Sequence, residues 1–483
     1  MNISGLLTDF YELTMIQGYY LTKNNPQVVF DMFYRTQPFN NGYTIFTGLD
    51  TALKGILSMG FSDEDIEYLR SLDTFHEEFL EYLKDFSFSG TIFAMDEGTI
   101  IFPGEPMIRV EAPLIEAQLI ESFLLNTINF QSLIATKTSR IYHASGCGKI
   151  LEFGLRRAQG IDGALSATRA AFVGGATATS NTYAGRLLDI PVSGTMAHSW
   201  VMSYSSELES FREFANLYPN SCILLIDTYD TLGTGIENAI IVGKELKAQG
   251  KRLGVRIDSG DLSYLSKEVR LRLDAAGLDD AFIAVSNDLT EEIISMLVAD
   301  KVPIDSWGVG THLVTGGVQS SMNGVYKLAA KRDDNDIIQP TMKVSNNYEK
   351  TTNPGIKQVY RFFGNNENPK ADLIALTHEE VNEDGNYRFF HPMIDKDYFD
   401  LRASEINSIK PLLSCKVENG KRISKECTLL ELQTRVKEEL KAFHMSYKRQ
   451  INPHIYKVSL SEELKDLKQS LLETYRENQV TIR

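Results

Sequence analysis

The chain has 483 residues, and its 49 Lys and Arg against 64 Asp and Glu give a formal net charge of −15 at pH 7. That length suits about three domains at roughly 150 residues each, and 43% hydrophobic with 23% charged residues is an ordinary globular composition. The acidic balance, without a long basic run, argues against nucleic acid or an anionic membrane as the main partner. It leaves room for a locally basic pocket.

The cysteines and the first residues indicate a reduced, cytoplasmic protein. Cys147, Cys222, Cys415 and Cys427 are too few for a disulfide scaffold, and none are spaced as C-x-x-C. The start lacks the basic region and the continuous apolar segment of a secretory signal. No apolar run approaches the ~18 residues that a membrane helix needs.

The N-terminal part mixes helices and strands. Residues 8–22 have helical apolar spacing, and residues 28–35 alternate like a half-buried strand. Residues 62–65 resemble a capping box that opens a short helix. Between 91 and 112 the pattern is that of three short strands broken by turns. We therefore predict an α+β domain over residues 1–115.

The middle of the chain alternates between strands and helices. A helical stretch over 113–142 leads into repeated β–α units, which predict a parallel sheet. Most strands end in polar or glycine-containing residues, and functional groups spread over many strand ends favour an irregular (β/α) barrel over 116–330. The strand-like runs are 149–153, 178–181, 190–195, 222–227, 252–257, 281–286 and 304–309. The helical patterns are 160–174, 182–189, 197–217, 233–249, 261–276 and 289–300.

The remaining residues, 331–483, are predicted to form a smaller C-terminal α+β region. Residues 324–327 look like one more strand, after which the chain is polar and irregular to about residue 370. The later elements are strands near 386–394 and 410–417 and helices over 427–443 and 461–476.

One strand presents an arginine and an aspartate on the same face. Residues two apart on a strand share a face, so Arg256 and Asp258 both point into the mouth of the predicted site. A buried structural ion pair would have the same spacing, and the sequence does not separate the two possibilities.

Two further segments could bind a phosphorylated ligand. Asp227 and Asp230 follow a strand and suit a hydrated Mg²⁺, although aspartates in that position more often cap helices. Gly308, Gly310 and Thr311 offer backbone N–H groups and a hydroxyl to a phosphate, but such glycines also serve tight turns.

Three aromatic residues stand beside predicted strands or helix starts. His198 directly follows a strand, and on spacing alone a structural role outweighs a nucleophilic one. Phe153 and Tyr11 could stack on a planar ring or belong to the core.

Together these segments resemble the nicotinate phosphoribosyltransferase family. The most specific blocks are LLTDFYELTM at 6–15, the run from EFGLRR to TATSN at 152–181, and PVSGTMAHSW at 191–200. The resemblance covers essentially the whole chain. It continues with DTYDT at 227–231, GVRIDSGD at 254–261, WGVGTHLVT at 307–315, GVYKL at 324–328 and INPHIYKVSLSEEL at 451–464.

The resemblance implies a reaction, a fold and an assembly. The family joins nicotinate to 5-phosphoribosyl 1-diphosphate, releases pyrophosphate and couples the step to ATP hydrolysis. This is the first step of the salvage route to NAD. The implied fold is an irregular α/β barrel with an N-terminal α+β domain, and the implied assembly is a homodimer with shared active sites.

The resemblance also assigns roles to catalytic residues. It implies that Tyr11 and Phe153 sandwich the pyridine ring and that Asp258 holds the ribose. Arg256 would pair with the nicotinate carboxylate or with the ribose phosphate side of the site. His198 matches the family's phosphorylated histidine, which reverses the expectation from spacing alone.

The other implied contacts bind the phosphates and select the substrate. Arg156 and Lys327 would neutralise the pyrophosphate. The uncharged segment of Thr179, Ser180 and Asn181 suits a carboxylate substrate, because an acidic residue there would repel it. The remaining predicted substrate-binding residues are Gly310 and Thr311 at the 5′-phosphate, with Asn287, Asp288 and Asp227.

We expect Mg²⁺ to accompany phosphoribosyl pyrophosphate and ATP, and no structural zinc, since Cys415 and Cys427 alone cannot form a cluster. One alternative is a metal-dependent lyase acting on a phosphosugar, with Asp227, Asp230 and Asp258 as metal ligands. A second is a non-catalytic binding protein, against which the retained catalytic residues speak.

Overall fold

The chain folds into two compact units in a computed structural model that describes residues 3–333, 335–345, 350–394 and 396–481. The central unit is Ile134–Ser320, and the terminal unit combines Met1–Leu133 with Ser321–Arg483. The boundary between them falls within helix Glu121–Ala144. The domains predicted from the sequence have different boundaries, namely 1–115, 116–330 and 331–483.

The terminal unit joins the two ends of the chain in one sheet, which corrects the predicted separation of N- and C-terminal parts. Strand Ser414–Glu418 pairs with Thr91–Ala94, and strand Gly324–Arg332 pairs with Gln27–Tyr34. Backbone hydrogen bonds make these pairings, and such bonds do not depend on side-chain identity. The sequence pattern therefore shows strands without showing which distant strand each one joins.

The described part of the terminal unit contains three sheets, and nearly all of their pairings are antiparallel. The seven-stranded sheet has the order Ile338–Pro340, Gly324–Arg332, Gln27–Tyr34, Ile108–Pro113, Thr91–Ala94, Ser414–Glu418 and Lys421–Arg422. The six-stranded sheet has the order Tyr398–Leu401, Tyr387–Phe390, Val458–Leu460, Pro369–Leu376, Lys357–Phe363 and Ser408–Pro411. The third sheet pairs Thr44–Ile45 with Ile100–Ile101.

Helices of this unit share an apolar core with these sheets. Helix Asp63–Ser71 begins with the predicted capping box, in which Ser62 and Asp65 bond each other's backbone N–H groups. No helix in the described ranges combines the length and the apolar composition that crossing a bilayer takes. The α-helices of the terminal unit are Phe10–Leu21, Leu49–Leu57, Asp63–Ser71, Glu77–Lys84, Leu114–Leu119, Leu429–Ala442 and Glu462–Thr481.

The central unit contains one parallel six-stranded sheet. Its strands read as continuous apolar runs because both faces are buried, as in Leu224–Leu225 and Ile283–Val285. The order across the sheet is Ala178–Thr179, Lys149–Glu152, Ser306–Val309, Phe282–Val285, Gly254–Ile257 and Ile223–Leu225.

The sheet of the central unit is open. Its end strands, Ala178–Thr179 and Ile223–Leu225, are not paired with each other in the described structure. The predicted strand 190–195 is wrong, since only a single bridge joins Val192 to Thr179. The chain is therefore a mixed α/β protein of more than one unit, and closure into a barrel stays a prediction.

Helices follow most of these strands, as predicted. The helix expected over 197–217 is two helices, because Ser206 accepts the N–H of Glu209 and so begins a new helix. The helices of the central unit are Gly160–Gly174, Thr182–Leu188, His198–Met202, Glu207–Leu217, Ile236–Ala248, Leu262–Ala275, Glu291–Ala299 and Thr311–Val314.

Candidate active site

A cavity of about 510 Å³ lies at the carboxyl ends of the parallel strands in the central unit. This volume falls within the range of small-molecule sites, and strand carboxyl ends are where α/β sheets bind ligands. Residues that follow five of the six strands line it. The lining residues are Phe153, Arg156, Arg157, Ser180, Gly194, Thr195, Met196, Ala197, His198, Arg256, Asp258, Ser286, Asn287, Asp288, Gly308, Gly310 and Thr311.

Arg256 is anchored by the loop that precedes His198. Its guanidinium donates to Thr195 Oγ1 at 2.6 Å and to the carbonyl of Met196 at 3.1 Å. Its Nε is buried and has no hydrogen-bond partner in the described structure. Burial lowers the pKa of Arg256, although the carboxylates of Asp258 and Asp227 oppose that shift. Arg256 bonds Thr195 and Met196 and forms no ion pair with Asp258 within the described residues. The two residues are therefore not the buried structural ion pair that the sequence left open.

Two further arginines bring positive charge to the same cavity. Arg156 and Arg157 follow strand Lys149–Glu152, and both side chains are exposed. Within the described part of the chain, neither guanidinium has a hydrogen-bond or ion-pair partner. The charge of Arg156 contributes to the lowered pKa of Arg256. Three guanidinium groups with unused donors make the cavity suited to an anionic ligand.

The acidic side of the cavity is ordered by short hydrogen bonds. Asp258 Oδ1 accepts from the hydroxyl of Ser286 at 2.5 Å. Asp227 Oδ2 accepts from the N–H of Asp258 at 3.0 Å and from Ser259 Oγ at 2.6 Å. The second oxygen of Asp227, Oδ1, is buried without a partner in the described structure. Asp230 instead accepts the N–H of Gly233 at 2.9 Å, which is the helix-cap alternative.

Phe153 occupies space that two glycines leave free. A Cβ on Gly308 would lie 2.7 Å from the Phe153 ring, and one on Gly310 would lie 3.1 Å from the Phe153 carbonyl. The N–H of Phe153 donates to the carbonyl of Val309 at 2.9 Å, which fixes the backbone beside the ring. Gly308 is therefore required for packing around Phe153, a role that the turn and phosphate interpretations did not include.

His198 is the first residue of helix His198–Met202 and is half-buried. Its Nδ1 lies 3.1 Å from Thr228 Oγ1, on the turn after strand Ile223–Leu225. This contact occupies Nδ1, so Nε2 is the ring nitrogen left for chemistry when Nδ1–H donates to the hydroxyl.

Asn287 has a strained backbone at the edge of the cavity. Its φ is 108°, in the left-handed region that non-glycine residues rarely adopt. Such strain is typical of functional sites, where the surrounding structure holds a residue in place. The neighbours Ser286 and Asp288 also line the cavity.

Family comparisons match along nearly the whole chain. Models of the nicotinate phosphoribosyltransferase family match residues 6–129 (N-terminal domain), 148–353 (family) and 356–468 (C-terminal domain). The nicotinate phosphoribosyltransferase of Bacillus subtilis (strain 168) is 42% identical over 464 residues, which cover 95% of this chain and 93% of that protein. The chain belongs to the nicotinate phosphoribosyltransferase family.

Other members agree in sequence and in structure. The nicotinate phosphoribosyltransferase of Caenorhabditis elegans is 36% identical over 525 residues, covering 96% of this chain and 92% of that protein. The crystal structure of human nicotinic acid phosphoribosyltransferase matches with a TM-score of 0.84 and 29% identity, covering 96% of this chain and 99% of that chain.

The alternative of a metal-dependent lyase finds no support in these comparisons. In the ranges that the structure describes, no group of three or more His, Cys, Asp or Glu side chains is arranged to hold a metal ion.

Five residues that the family resemblance predicted do not line the cavity. Asn181 caps helix Thr182–Leu188 through Ala184 N, and its buried Nδ2 has no partner in the described structure. Thr179 is buried within its strand, and Asp227 supports the backbone of Asp258. Tyr11 and Lys327 belong to the terminal unit.

In that unit, Tyr11 and Lys327 stand near acidic residues. Tyr11 is 51% exposed on helix Phe10–Leu21. Lys327 Nζ lies 3.6 Å from Glu121 Oε1 and donates to the carbonyl of Tyr326 at 2.6 Å. Burial raises the pKa of Glu121, and the charge of Lys327 opposes that rise.

The prediction missed several residues that line the cavity, for different reasons. Arg157 stands beside Arg156 in the same block, and two adjacent arginines were a signal for it. Ser286 directly precedes Asn287 on the same strand end. The loop residues Thr195–Ala197 lie in the family block at 191–200, which was a signal for them. Nothing in that block shows that the hydroxyl of Thr195 and the carbonyl of Met196 bond Arg256.

Proposed function

We propose that this chain makes nicotinate mononucleotide from nicotinate and 5-phosphoribosyl 1-diphosphate, with coupled ATP hydrolysis. The observation that carries the proposal is the cavity that Arg156, Arg157 and Arg256 line together with the carboxylate of Asp258. Both substrates are anions, and the ribosyl centre becomes positive as pyrophosphate leaves. The arginines therefore supply positive charge for the anionic substrates, and Asp258 supplies negative charge for the ribosyl centre.

In this reaction the pyridine nitrogen forms a bond to the ribosyl C1 as the bond from C1 to the pyrophosphate oxygen breaks. Arg156 would neutralise the departing pyrophosphate, with Lys327 of the terminal unit as a second predicted cation. Asp258 would hold the ribose and stabilise the positive charge on C1. Its hydrogen bond from Ser286 fixes the carboxylate before substrate arrives.

Arg256 would give the preference for nicotinate over nicotinamide. A charge-assisted contact is worth roughly 1.5–3 kcal/mol, or about ten- to a hundredfold in affinity. The buried Thr179 and Asn181 are uncharged, so no carboxylate from that segment opposes the substrate.

His198 would couple the reaction to ATP. Its Nε2 would attack the γ-phosphorus of ATP, so that an N–P bond forms as the bond to ADP breaks. The contact of Nδ1 with Thr228 supports this orientation of the ring.

Mg²⁺ is expected to bind with the phosphates. The buried, unpartnered Asp227 Oδ1 fits a cation or its water, with Asp258 as the neighbouring carboxylate. The ion would neutralise charge on the pyrophosphate when bound. Asn287, Asp288, Gly310 and Thr311 remain the proposed contacts to the 5′-phosphate.

We also propose that the central unit is an irregular barrel. The loop around 192–196 supports this proposal, because it connects the two sides of the open sheet. Val192 forms a bridge to Thr179 on one end strand, and Thr195 and Met196 bond Arg256 on the strand next to the other end. A cytoplasmic location remains a prediction from the sequence.

The direct test is to incubate the purified protein with nicotinate and phosphoribosyl pyrophosphate, with and without ATP. Mass spectrometry should detect nicotinate mononucleotide, in larger amount with ATP. Nicotinamide should give at least about tenfold less product, the low end of what one charge-assisted contact gives. Absence of nicotinate mononucleotide under both conditions would refute the proposal.

A homodimer with shared sites is proposed from the family resemblance. If Tyr11 completes the partner's site, mixing Tyr11→Ala with Arg256→Ala subunits should restore about a quarter of wild-type activity, since half the dimers are mixed and half their sites intact. Subunits that are shown to exchange, yet recover no activity, would contradict the shared site.

A further inference from the structure

Glu152 is a buried carboxylate that the proposed mechanism does not use. It ends strand Lys149–Glu152, directly before Phe153, and is 1% exposed. One oxygen accepts the N–H of Gly154. The other accepts the hydroxyls of Thr168 at 2.9 Å and Thr179 at 2.5 Å. In the described structure it forms no ion pair.

A buried carboxylate without a cation is costly, and here only neutral donors offset that cost. Stability alone would be served as well by an apolar residue with apolar neighbours. The donors come from three different segments: the turn after the strand, helix Gly160–Gly174 and strand Ala178–Thr179. The carboxylate therefore ties these segments together at one point.

Two of the tied segments carry cavity residues. The turn holds Phe153 and Arg156, and the strand continues into Ser180. The hydroxyl of Thr179 that donates to Glu152 also accepts the N–H of Asn181 at 2.9 Å. One chain of hydrogen bonds thus runs from the N–H of Gly154, the residue after Phe153, through Glu152 and the hydroxyl of Thr179 to the N–H of Asn181.

We infer that Glu152 is a positioning residue that sets the affinity for the pyridine substrate. It fixes Phe153, which would stack on the ring, relative to Ser180, the residue of the Thr179–Asn181 segment that lines the cavity and would face the ring's substituent. This inference rests on the proposed function. Among the proposed phosphoribosyl contacts, Arg156 shares the turn that Glu152 bonds. Asp258 and Asn287 have no bond to Glu152 in the described structure, so the affinity for phosphoribosyl pyrophosphate should change less than that for nicotinate.

The test compares three variants with wild type. Glu152→Ala removes all three acceptor contacts and should raise the KM for nicotinate about tenfold or more. Glu152→Gln should stay within about threefold, since its oxygen can accept from Gly154 while its amide donates to rotated threonine hydroxyls. Thr168→Val removes one donor outside the cavity and should raise this KM by about threefold to tenfold. The KM for phosphoribosyl pyrophosphate should change less than threefold in each variant. A threefold change corresponds to roughly half the net free energy of a typical hydrogen bond.

Thr177→Val is the matched control, because it removes a hydroxyl that donates to the carbonyl of Ile150 and does not touch Glu152. Its KM for nicotinate should equal that of wild type. Thermal unfolding of every variant separates loss of fold from loss of positioning. If Glu152→Ala does not fold, the KM of Thr168→Val for nicotinate tests the inference instead.

Nicotinate binding by calorimetry, measured on the same proteins, separates this inference from the proposed function. A wild type that makes nicotinate mononucleotide, with folded Glu152→Ala and Thr168→Val variants of unchanged nicotinate affinity, would overturn the role of Glu152 alone. Equal rises in both KM values, or a folded Glu152→Gln as impaired as Glu152→Ala, would also overturn it. A wild type that neither binds nor converts nicotinate would overturn both.

Discussion

Arg256→Ala should lower kcat/KM for nicotinate by about a hundredfold or more. The substitution removes a guanidinium that is anchored by Thr195 and Met196 and whose Nε has no partner among the described residues. It also removes a positive charge that interacts with the carboxylates of Asp258 and Asp227, which adds repulsion toward anionic substrates. Steady-state kinetics with both substrates varied would measure the loss. The preference for nicotinate over nicotinamide should shrink in the same variant.

Arg252→Ala is the matched control for Arg256. Arg252 stands two residues before strand Gly254–Ile257, is exposed, and lies over the ring of Phe282 rather than in the cavity. The Arg252→Ala substitution removes the same positive charge from the same unit as Arg256→Ala does. If both variants lose activity equally, net charge rather than the position of Arg256 would explain the effect.

His198→Ala should abolish acid-labile incorporation of label from γ-labelled ATP. It should also remove the stimulation of product formation by ATP, while some ATP-independent synthesis persists because Arg256 and Asp258 remain. The phosphoryl group is expected on Nε2, since Nδ1 is held by Thr228. Phosphate-specific mass spectrometry and NMR of the labelled protein would identify the nitrogen.

His143→Ala is the control for labelling. His143 belongs to the central unit, on helix Glu121–Ala144, and does not line the cavity. This variant should be labelled like wild type. Undiminished labelling of His198→Ala would contradict the assignment.

The sequence predicted the elements and much of the cavity through local rules. The two-residue period of a strand brought Arg256 and Asp258 to one cavity, and parallel strands brought Phe153, Asn287 and Thr311 to the same edge. These placements depend only on where each strand ends. The roles of the residues came instead from the family resemblance.

The features that were missed depend on contacts between distant segments. Gly308 makes room for a ring more than 150 residues earlier, and Glu152 bonds Thr168 and Thr179. Neither contact leaves a periodic pattern in the sequence.

The C-terminal part shows the same limit. The stretch predicted as irregular to residue 370 contains strands Ile338–Pro340 and Lys357–Phe363, while 334 and 346–349 lie outside the described residues. Lys357 and Arg361 are buried charges in the second of these strands, and they hid its apolar alternation. Their partners, Asp31 and Asp372, come from other strands.

The seven-stranded sheet of the terminal unit pairs strands that are synthesised at very different times. Strands Gln27–Tyr34 and Thr91–Ala94 leave the ribosome early, but their partners Gly324–Arg332 and Ser414–Glu418 are synthesised hundreds of residues later. The central unit is continuous in sequence and ends at Ser320, directly before strand Gly324–Arg332. Until the second pair of strands emerges, the first pair has unpaired backbone edges that could join another chain. The interval between the synthesis of Ala94 and that of Glu418 is therefore the one in which the nascent chain most needs protection from aggregation.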